Sequence, residues 1–126
     1  MKIEHIALWT RDIEKMKTFY EKYFNVKSTE LYVNPKTKFC SYFLIFESGS
    51  RLELTSKPFL SDRSVDTAGY THLAISVGTK ADVDTFIKTI LSAGYPLLNG
   101  PRTTGDGYYE AVIQDPEGNL IEITTD

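Results

Sequence analysis

Apolar and polar residues in the first half of the chain follow the periods of one helix and several strands. Strands are predicted at 2–9, 26–33, 39–47 and 51–56, which are rich in β-branched and aromatic residues and are separated by turn-forming residues. Between the first two strands, apolar residues recur mostly at steps of three and four, which is typical of an amphipathic helix. These residues are Ile13, Met16, Tyr20, Tyr23 and Phe24. The first half is therefore predicted to have the order βαβββ.

The second half repeats this order. A strand at 70–77 precedes a helix at 79–94, whose apolar residues fall at i, i+3, i+4, i+7 and i+8 from Val83. Thr79 and Asp82 have the spacing of a capping box at the start of this helix. Three more strands are predicted at 95–99, 108–114 and 119–125, with a loop at 100–107.

The two halves also match residue by residue, which indicates a duplicated module. HIALWTRDIEKMKTFY aligns with HLAISVGTKADVDTFI at an offset of 67 and pairs His5 with His72. GSRLELT aligns with GNLIEIT at an offset of 69 and pairs Glu53 with Glu122. A period of this length is too long for a solenoid. We therefore predict one α+β domain made of two tandem βαβββ modules, 1–57 and 70–126, joined by a linker at 58–69.

Composition and charge narrow the function classes. Hydrophobic residues make up 41% of the 126 residues, which is enough for a packed core without a disulfide or a structural metal. The net charge is −3 and the chain has no long run of Lys or Arg, so we expect no nucleic-acid partner. No apolar stretch approaches the length of a membrane span, and no signal peptide is recognisable. Together with the single cysteine, Cys40, these features favour a cytoplasmic protein without a membrane partner.

Four side chains at repeated positions carry candidate chemistry. The two histidines, His5 and His72, lie in the first strands of the modules, and Glu53 and Glu122 lie between apolar neighbours in the last strands. If those neighbours pack under the helices, alternation turns both glutamates to the opposite face, where the histidines can join them. A divalent cation would remove the cost of half-buried, unpaired carboxylates there. Two imidazoles and two carboxylates suit Ni, Co, Zn, Fe or Mn.

These segments resemble the vicinal oxygen chelate superfamily, which includes glyoxalase I, extradiol dioxygenases, fosfomycin-resistance proteins and bleomycin-binding proteins. The resemblance covers nearly the whole chain and rests on HIALWTRDIEKMKTFYEKYF, RLELT, THLAISV and GPRTTGDGYYEAVIQDPEGNLIEI. It implies that the sheets of the two modules form a half-open barrel around one metal ion. The ligand order His, Glu, His, Glu is similar to that of bacterial glyoxalase I, so the implied ligands are His5, Glu53, His72 and Glu122. The pattern of the extradiol dioxygenases would place a His at position 53, which argues against them.

The resemblance implies a metal-dependent lyase or isomerase with one divalent transition metal, for which Ni, Co or Zn is favoured. Its substrate would be a small molecule with neighbouring oxygens, such as the hemithioacetal of methylglyoxal with a thiol co-substrate. The metal would act as a Lewis acid and stabilise an enediolate. Glu122 or Glu53 would move the proton, and we favour Glu122.

Aromatic and basic residues are candidates for substrate binding. Trp9, Tyr108 and Tyr109, together with Tyr42, could line a pocket, although packing is the default role of each. Arg51, Arg63 and Arg102 could bind an anionic group. Arg102 is preferred because its predicted loop contains glycines that would let it move over a site. Open sheet edges make a homodimer the expected assembly.

Two other functions remain open. One is a small-molecule binding protein of the bleomycin-resistance type, although such proteins tend to lack the full ligand set. The other is a metal-dependent transferase that opens an epoxide with a thiol, whose pattern of His, His and Glu has no ligand at position 53. Trp9 occupies the place where glutathione-using glyoxalases carry a basic residue. The resemblance therefore supports the metal ligands more strongly than it supports glutathione.

Overall fold

The first half of the chain forms one five-stranded sheet and one helix. A computed structural model describes residues 1–62 and 67–126 of the protein. The elements of the first half are β1 (Ile6–Trp9), α1 (Ile13–Phe24), β2 (Lys27–Ser28), β3 (Tyr32–Val33), β4 (Cys40–Ile45) and β5 (Arg51–Ser56). The strand order is β1-β5-β4-β2, and β3 also pairs with β4. β1 runs parallel to β5, which places the first strand of this half beside its last.

The second half forms a four-stranded sheet with the same central pairing. Its elements are β6 (His72–Ser76), α2 (Lys80–Ser92), β7 (Leu97–Thr103), β8 (Tyr109–Gln114) and β9 (Leu120–Thr124). The order is β6-β9-β8-β7, and β6 runs parallel to β9. The chain divides into two compact units, Met1–Ser64 and Val65–Asp126, which are called the first and second unit below.

Each helix covers one face of the sheet in its own unit. Met16 and Tyr20 of α1 are fully buried, as are Leu44 and Leu54 of the sheet. In the second unit, the fully buried side chains include Val83 and Ile90 of α2 and Ile113, Ile121 and Ile123 of the sheet. Every second residue of these strands therefore packs against the helix in the core, and the residues between them face away from the helix.

Side-chain caps start both helices. Asp12 is the N-cap of α1 and accepts a hydrogen bond from the backbone N–H of Lys15. Thr79 and Asp82 form the predicted capping box of α2. The hydroxyl and the backbone N–H of Thr79 both donate to Asp82, and they hold the pKa of this carboxyl below its usual value. No helix in the described residues is long and apolar enough to cross a membrane.

The predicted α+β class with two tandem βαβββ modules is confirmed, with differences at several element boundaries. The first strand begins at Ile6 rather than at residue 2, so His5 directly precedes it. The strand predicted at 26–33 is replaced by the short strands β2 and β3. Neither described sheet closes into a barrel, and the half-open barrel stays a prediction. Part of the predicted linker at 58–69, residues 63–66, lies outside the described residues.

The loop predicted at 100–107 is wrong for its first four residues, which belong to β7. The pairing of β7 with β8 shifts register between Asn99 and Arg102, so the strand accommodates Gly100 and Pro101 as an irregularity. Gly100 has φ +82°, and a Cβ at this position would lie 2.5 Å from the carbonyl oxygen of Glu110. Glycine is therefore required by a close approach within an edge strand, where proline is also tolerated.

Candidate functional site

The first unit brings His5 and Glu53 together across the parallel pair of β1 and β5. Ala7 is in register with Glu53, so His5, two residues before Ala7, lies on the same face. The His5 Nε2 atom is 3.6 Å from Glu53 Oε2, and 17% of the Glu53 side chain is exposed. The glutamate is thus half-enclosed, and the imidazole borders solvent.

The second unit contains the equivalent pair of His72 and Glu122. Ala74 is in register with Glu122, and His72 Nε2 is 3.5 Å from Glu122 Oε2. The Glu122 side chain is 18% exposed, almost the same as Glu53. The residues predicted from the repeat therefore form two pairs of nearly equal geometry, one in each unit.

Burial of the neighbouring residues explains why both glutamates face away from the helices. Leu52 and Leu54 flank Glu53 and are at most 2% exposed, and Ile121 and Ile123 flank Glu122 and are fully buried. Successive strand residues point to opposite faces, so burial of the flanking residues turns each carboxylate to the other side. The alternation predicted from the sequence holds in both units.

Each pair has the separation expected of two ligands on one metal ion. Ligand atoms at roughly 2.0–2.1 Å from a tetrahedral Zn²⁺ lie about 3.4 Å from each other. The two observed N–O separations, 3.6 and 3.5 Å, are close to this value. In the part of the chain that the structure describes, no three His, Cys, Asp or Glu side chains are grouped closely enough to hold a metal. The donor chemistry of each pair fits a divalent cation, and each unit offers two ligands.

A carboxylate that is itself paired with a guanidinium contacts the histidine of the first pair. Glu4 accepts a hydrogen bond from His5 Nδ1 and another from Arg51. These two contacts, the histidine first, hold the pKa of Glu4 below its usual value. Arg51 also lies over the ring of Phe43, with its Cζ atom 4.4 Å from the ring centroid.

A different carboxylate, Glu110, lies beside the second pair and was missed by the sequence analysis. Burial raises the pKa of Glu110, and the negative charge of Glu122 raises it further. Arg102 opposes this shift from β7, with its Nη1 atom 3.7 Å from Glu110 Oε1. The sequence carries part of the signal, because Ala111 and Ile113 are apolar and alternation turns Glu110 to the opposite face of β8. The register that brings this face beside Glu122 comes from the pairing of β8 with β9.

A buried hydroxyl also lies on the face that carries Glu122. Thr124 is two residues beyond Glu122 and is in register with Glu110. Within the described residues, its Oγ1 is the buried side-chain polar atom that has no hydrogen-bond partner. Thr55 is the equivalent residue of the first unit, and its hydroxyl donates to the carbonyl of Leu8 at 2.8 Å. The second unit therefore has an unused polar group beside its His–Glu pair.

The predicted substrate-binding residues are divided between the two faces of the sheets. Trp9 is half-exposed and on the face of Glu53, where Phe39 meets it edge-on at 6.2 Å and Lys57 lies 4.5 Å from its ring centroid. Arg102 is on β7, opposite Glu110, where Asn99 accepts a hydrogen bond from its Nε. Tyr108 is exposed and immediately precedes β8.

Two tyrosines face the helices instead. The hydroxyl of Tyr109 donates to Asp84 of α2, and that of Tyr42 donates to Glu14 of α1. The hydrogen bond to Glu14 is the main cause that raises the pKa of Tyr42 to about 12. Both side chains bridge sheet and helix and lie on the side opposite the glutamates. Arg63 lies outside the described residues.

A comparison with protein-family models identifies the family. Residues 2–123 match the model of the Glyoxalase/Bleomycin resistance protein/Dioxygenase superfamily. The chain belongs to this superfamily. The resemblance inferred from the sequence is thereby confirmed, since the match covers both units and both His–Glu pairs.

Relatives within the superfamily include a virulence protein of Salmonella typhimurium strain LT2. It is 30% identical over 127 residues, which cover 98% of this chain and 83% of that protein. Its name states no reaction.

Solved structures of the superfamily share the fold. A glyoxylase/bleomycin resistance protein/dioxygenase domain from Frankia sp. EAN1pec has a TM-score of 0.85 at 16% identity, covering 99% of this chain and 97% of that one. The trypanothione-dependent glyoxalase I of Leishmania major has a TM-score of 0.81 at 23% identity, covering 99% and 86%. The fosfomycin resistance protein FosX of Listeria monocytogenes, in complex with Mn(II) and sulfate, has a TM-score of 0.75 at 18% identity, covering 99% and 92%. At these identities the likeness concerns the fold.

Proposed function

We propose that the protein is a metal-dependent lyase or isomerase of the glyoxalase I type. Its substrate would be a small molecule with two neighbouring oxygens, such as the hemithioacetal formed by methylglyoxal and a thiol. The observation that supports this proposal is the pair of matching His–Glu arrangements, one per unit, with N–O separations of 3.6 and 3.5 Å. Each pair lies on the sheet of its own unit, on the face that the helix of that unit leaves uncovered.

One divalent transition ion, with Ni, Co or Zn preferred, would take one pair from each unit. The ligands would be His5, Glu53, His72 and Glu122, which supply two imidazole nitrogens and two carboxylates. When bound, the ion supplies Lewis acidity toward the two neighbouring oxygens of the substrate. The two carboxylates balance the charge of a divalent cation, and half-burial of both glutamates strengthens that interaction.

Glu122 is the proposed proton carrier. Its carboxylate accepts the proton from the C–H carbon that bears the sulfur and returns it to the neighbouring carbonyl carbon. The proton of the hydroxyl group passes to the former ketone oxygen. The hydroxyl carbon thereby becomes a thioester carbonyl, and the former ketone carbon becomes a secondary alcohol. The step is an internal isomerisation, so it needs no oxidant or reductant. Glu53 is the alternative carrier.

Similar solved structures support a divalent metal ion and the reaction class without deciding which metal or which substrate. The Leishmania relative is a trypanothione-dependent glyoxalase I, and the Listeria relative holds Mn(II). The thiol of this chain is left open in the proposal, because Trp9 stands where a basic residue would support glutathione.

Metal content is the first test. The untagged protein is analysed for metals as purified and after soaking with Ni, Co, Zn or Mn, alongside His5→Ala and His72→Ala. The proposal expects about one transition ion per chain in the wild type and its loss in both variants. Failure to bind any of these ions would refute the metal-dependent function.

Mixing the two histidine variants tests a shared site in the proposed homodimer. If each site combines pairs from two chains, a heterodimer of His5→Ala with His72→Ala has one intact site. An equilibrated mixture would then regain about a quarter of the wild-type metal. If each site uses pairs from one chain, the mixture binds no more than the separate variants.

Turnover is the second test. Formation of a lactoyl thioester from methylglyoxal is followed with glutathione and several other thiols, using the metal that binds. The lyase proposal expects turnover with at least one thiol and its loss on chelation. A protein that binds metal but converts none of these hemithioacetals would contradict the proposed reaction while leaving the metal site standing.

One observation favours a second candidate function, a small-molecule binding protein without chemistry. Trp9, Phe39 and Tyr32 form an aromatic cluster on the face of Glu53, and both Trp9 and Tyr32 are about half-exposed. Such a surface suits a planar apolar ligand. Retained binding of an aromatic ligand after removal of the metal would favour this function over the lyase.

A further inference from the structure

His5 is held by a cluster of side chains that has no counterpart at His72 among the described residues. Its Nδ1 atom forms a hydrogen bond with one carboxylate oxygen of Glu4, and the other oxygen of Glu4 accepts a hydrogen bond from Arg51. Arg51 stacks on Phe43, and the edge of the His5 ring meets the same phenyl ring with centroids 5.2 Å apart. These four residues, His5, Glu4, Arg51 and Phe43, form a closed set of contacts, called the His5 clamp below.

The chemistry of the clamp fixes which imidazole nitrogen carries the proton. An ionised carboxylate is an acceptor only, so the proton of the bond between His5 and Glu4 belongs to Nδ1. In the neutral ring, the free electron pair is then on Nε2. Nε2 is the nitrogen that faces Glu53, 3.6 Å from its carboxylate oxygen. The clamp therefore presents the electron pair of His5 toward its glutamate partner.

The second unit lacks the residues for such a clamp. At the repeat offsets, Thr71 stands in the place of Glu4 and Leu120 in the place of Arg51. The ion-pair partner of His72 among the described residues is Glu122, at 3.5 Å from Nε2. The two histidines thus share a position in the fold and differ in what holds the ring.

We infer that Glu4 is a positioning residue that sets the tautomer and orientation of His5 for metal binding. The inference rests on the proposed metal site and adds that the His5–Glu53 pair is ordered before the ion arrives, whereas His72 is oriented by the ion itself. Partners that bond to the far nitrogen of a ligating histidine typically change metal affinity about 10–100-fold. Glu4 is suited to test because its side chain is 55% exposed, so its removal leaves the core intact.

The first experiment observes the tautomers directly in metal-free protein. The chain has two histidines, so ¹⁵N spectra of histidine-labelled protein contain two sets of ring signals, which His72→Ala assigns. At a pH where both rings are neutral, wild-type His5 is expected in the Nδ1–H form, and His72 as a mixture of both forms. Glu4→Ala is expected to convert His5 to a mixture like that of His72. An Nε2–H form of His5 in the wild type, or an unchanged signature in Glu4→Ala, would overturn the inference.

The second experiment measures metal affinity by competition with a chelator. Glu4→Ala is expected to weaken binding about 10–100-fold, and Glu4→Gln to recover part of the loss because its amide oxygen still accepts from Nδ1. Glu47→Ala removes an exposed carboxylate from the same unit as a matched control, and it should bind like the wild type. Unchanged affinity in Glu4→Ala, or an equal loss in Glu47→Ala, would also overturn the inference. The tautomer measurement needs no metal, so it gives a result even if the proposed function fails.

Discussion

The two His–Glu pairs have nearly the same internal geometry and different surroundings. Their N–O separations differ by about 0.1 Å, and their glutamates are 17% and 18% exposed. In the first unit the additional carboxylate, Glu4, contacts the histidine. In the second unit the additional carboxylate, Glu110, is beside the glutamate and has a raised pKa. Both units therefore contain the same donor pair. The additional carboxylate lies beside the histidine in the first unit and beside the glutamate in the second.

This difference suggests different roles for the two units within the proposed reaction. A histidine held through Nδ1 is suited to keep a ligand in place, because its ring orientation is fixed before binding. The raised pKa of Glu110 favours its protonated form, so a carboxyl that can share a proton lies beside Glu122. The contrast agrees with Glu122 as proton carrier and with Glu53 mainly as a ligand.

The largest expected effect separates those two roles. At saturating metal, Glu122→Gln is expected to lower turnover at least about 100-fold, because the amide cannot accept the substrate proton. Glu53→Gln is expected to weaken metal binding more than turnover. Both constants are measured, with metal bound to each variant before the assay. Full turnover in Glu122→Gln would refute its assignment, and a reversed pattern would make Glu53 the carrier.

A stability comparison tests whether the hydrophobic core is packed equally well behind the two His–Glu pairs. Leu54 and Ile123 follow the two glutamates, occupy equivalent repeat positions and are fully buried. Truncation of either to alanine should lower the free energy of unfolding by about 2–5 kcal/mol, because each leaves a cavity under its helix. Urea unfolding of Leu54→Ala and Ile123→Ala measures both. A loss well below this range in one variant alone would show that its unit packs more loosely behind the pair.

The equivalent threonines provide a finer comparison. Thr55→Val removes a hydrogen bond to the Leu8 carbonyl and should cost about 1 kcal/mol. Thr124→Val removes a buried hydroxyl that has no partner among the described residues, so the free energy of unfolding should stay the same or rise. Equal losses in both variants would mean that the Thr124 hydroxyl bonds to a group outside the described protein atoms, such as water.

The two pairs could be predicted from the sequence because the pattern that indicates them involves only neighbouring residues along each strand. Each glutamate lies between two apolar residues, and the period of a strand is enough to assign its face. The repeat then doubled the signal, since His5 and His72 occupy one position. Fold class and ligand candidates could therefore be read without long-range information.

The surroundings of the pairs could not be predicted in the same way. The contact between Glu4 and Arg51 joins residues 47 positions apart, and it depends on the parallel pairing of β1 with β5. The sequence predicts a loop at Arg102 because Gly100 and Pro101 usually end a strand, whereas an irregular edge strand accommodates both. Tyr109 was assigned to the substrate side, but its hydrogen bond to Asp84 places it under the helix.

The smallest expected effect concerns the pH dependence that Glu110 gives to the second unit. The folded protein raises the pKa of Glu110 above its ordinary value of 4.5, first through burial and then through Glu122. As pH rises above 4.5, the Glu110 carboxyl loses its proton in the unfolded chain before it does so in the folded protein. The free energy of unfolding therefore falls until pH exceeds the pKa of Glu110 in the folded protein. Glu110→Gln removes the titrating carboxyl and with it this fall in stability. The stability of the variant relative to the wild type should therefore increase as pH rises from the ordinary pKa of the carboxyl to its raised pKa in the folded protein.

Arg102→Gln provides the opposite arm of that experiment. Arg102 lowers the pKa of Glu110, so its removal should raise that pKa further and steepen the fall in stability over the same pH range. Thermal unfolding of the wild type and both variants across this range measures the slopes. If Glu110→Gln and the wild type keep a constant difference at every pH, the carboxyl of Glu110 titrates alike in both states. The contrast between the two units would then rest on Glu4 and Thr124 alone.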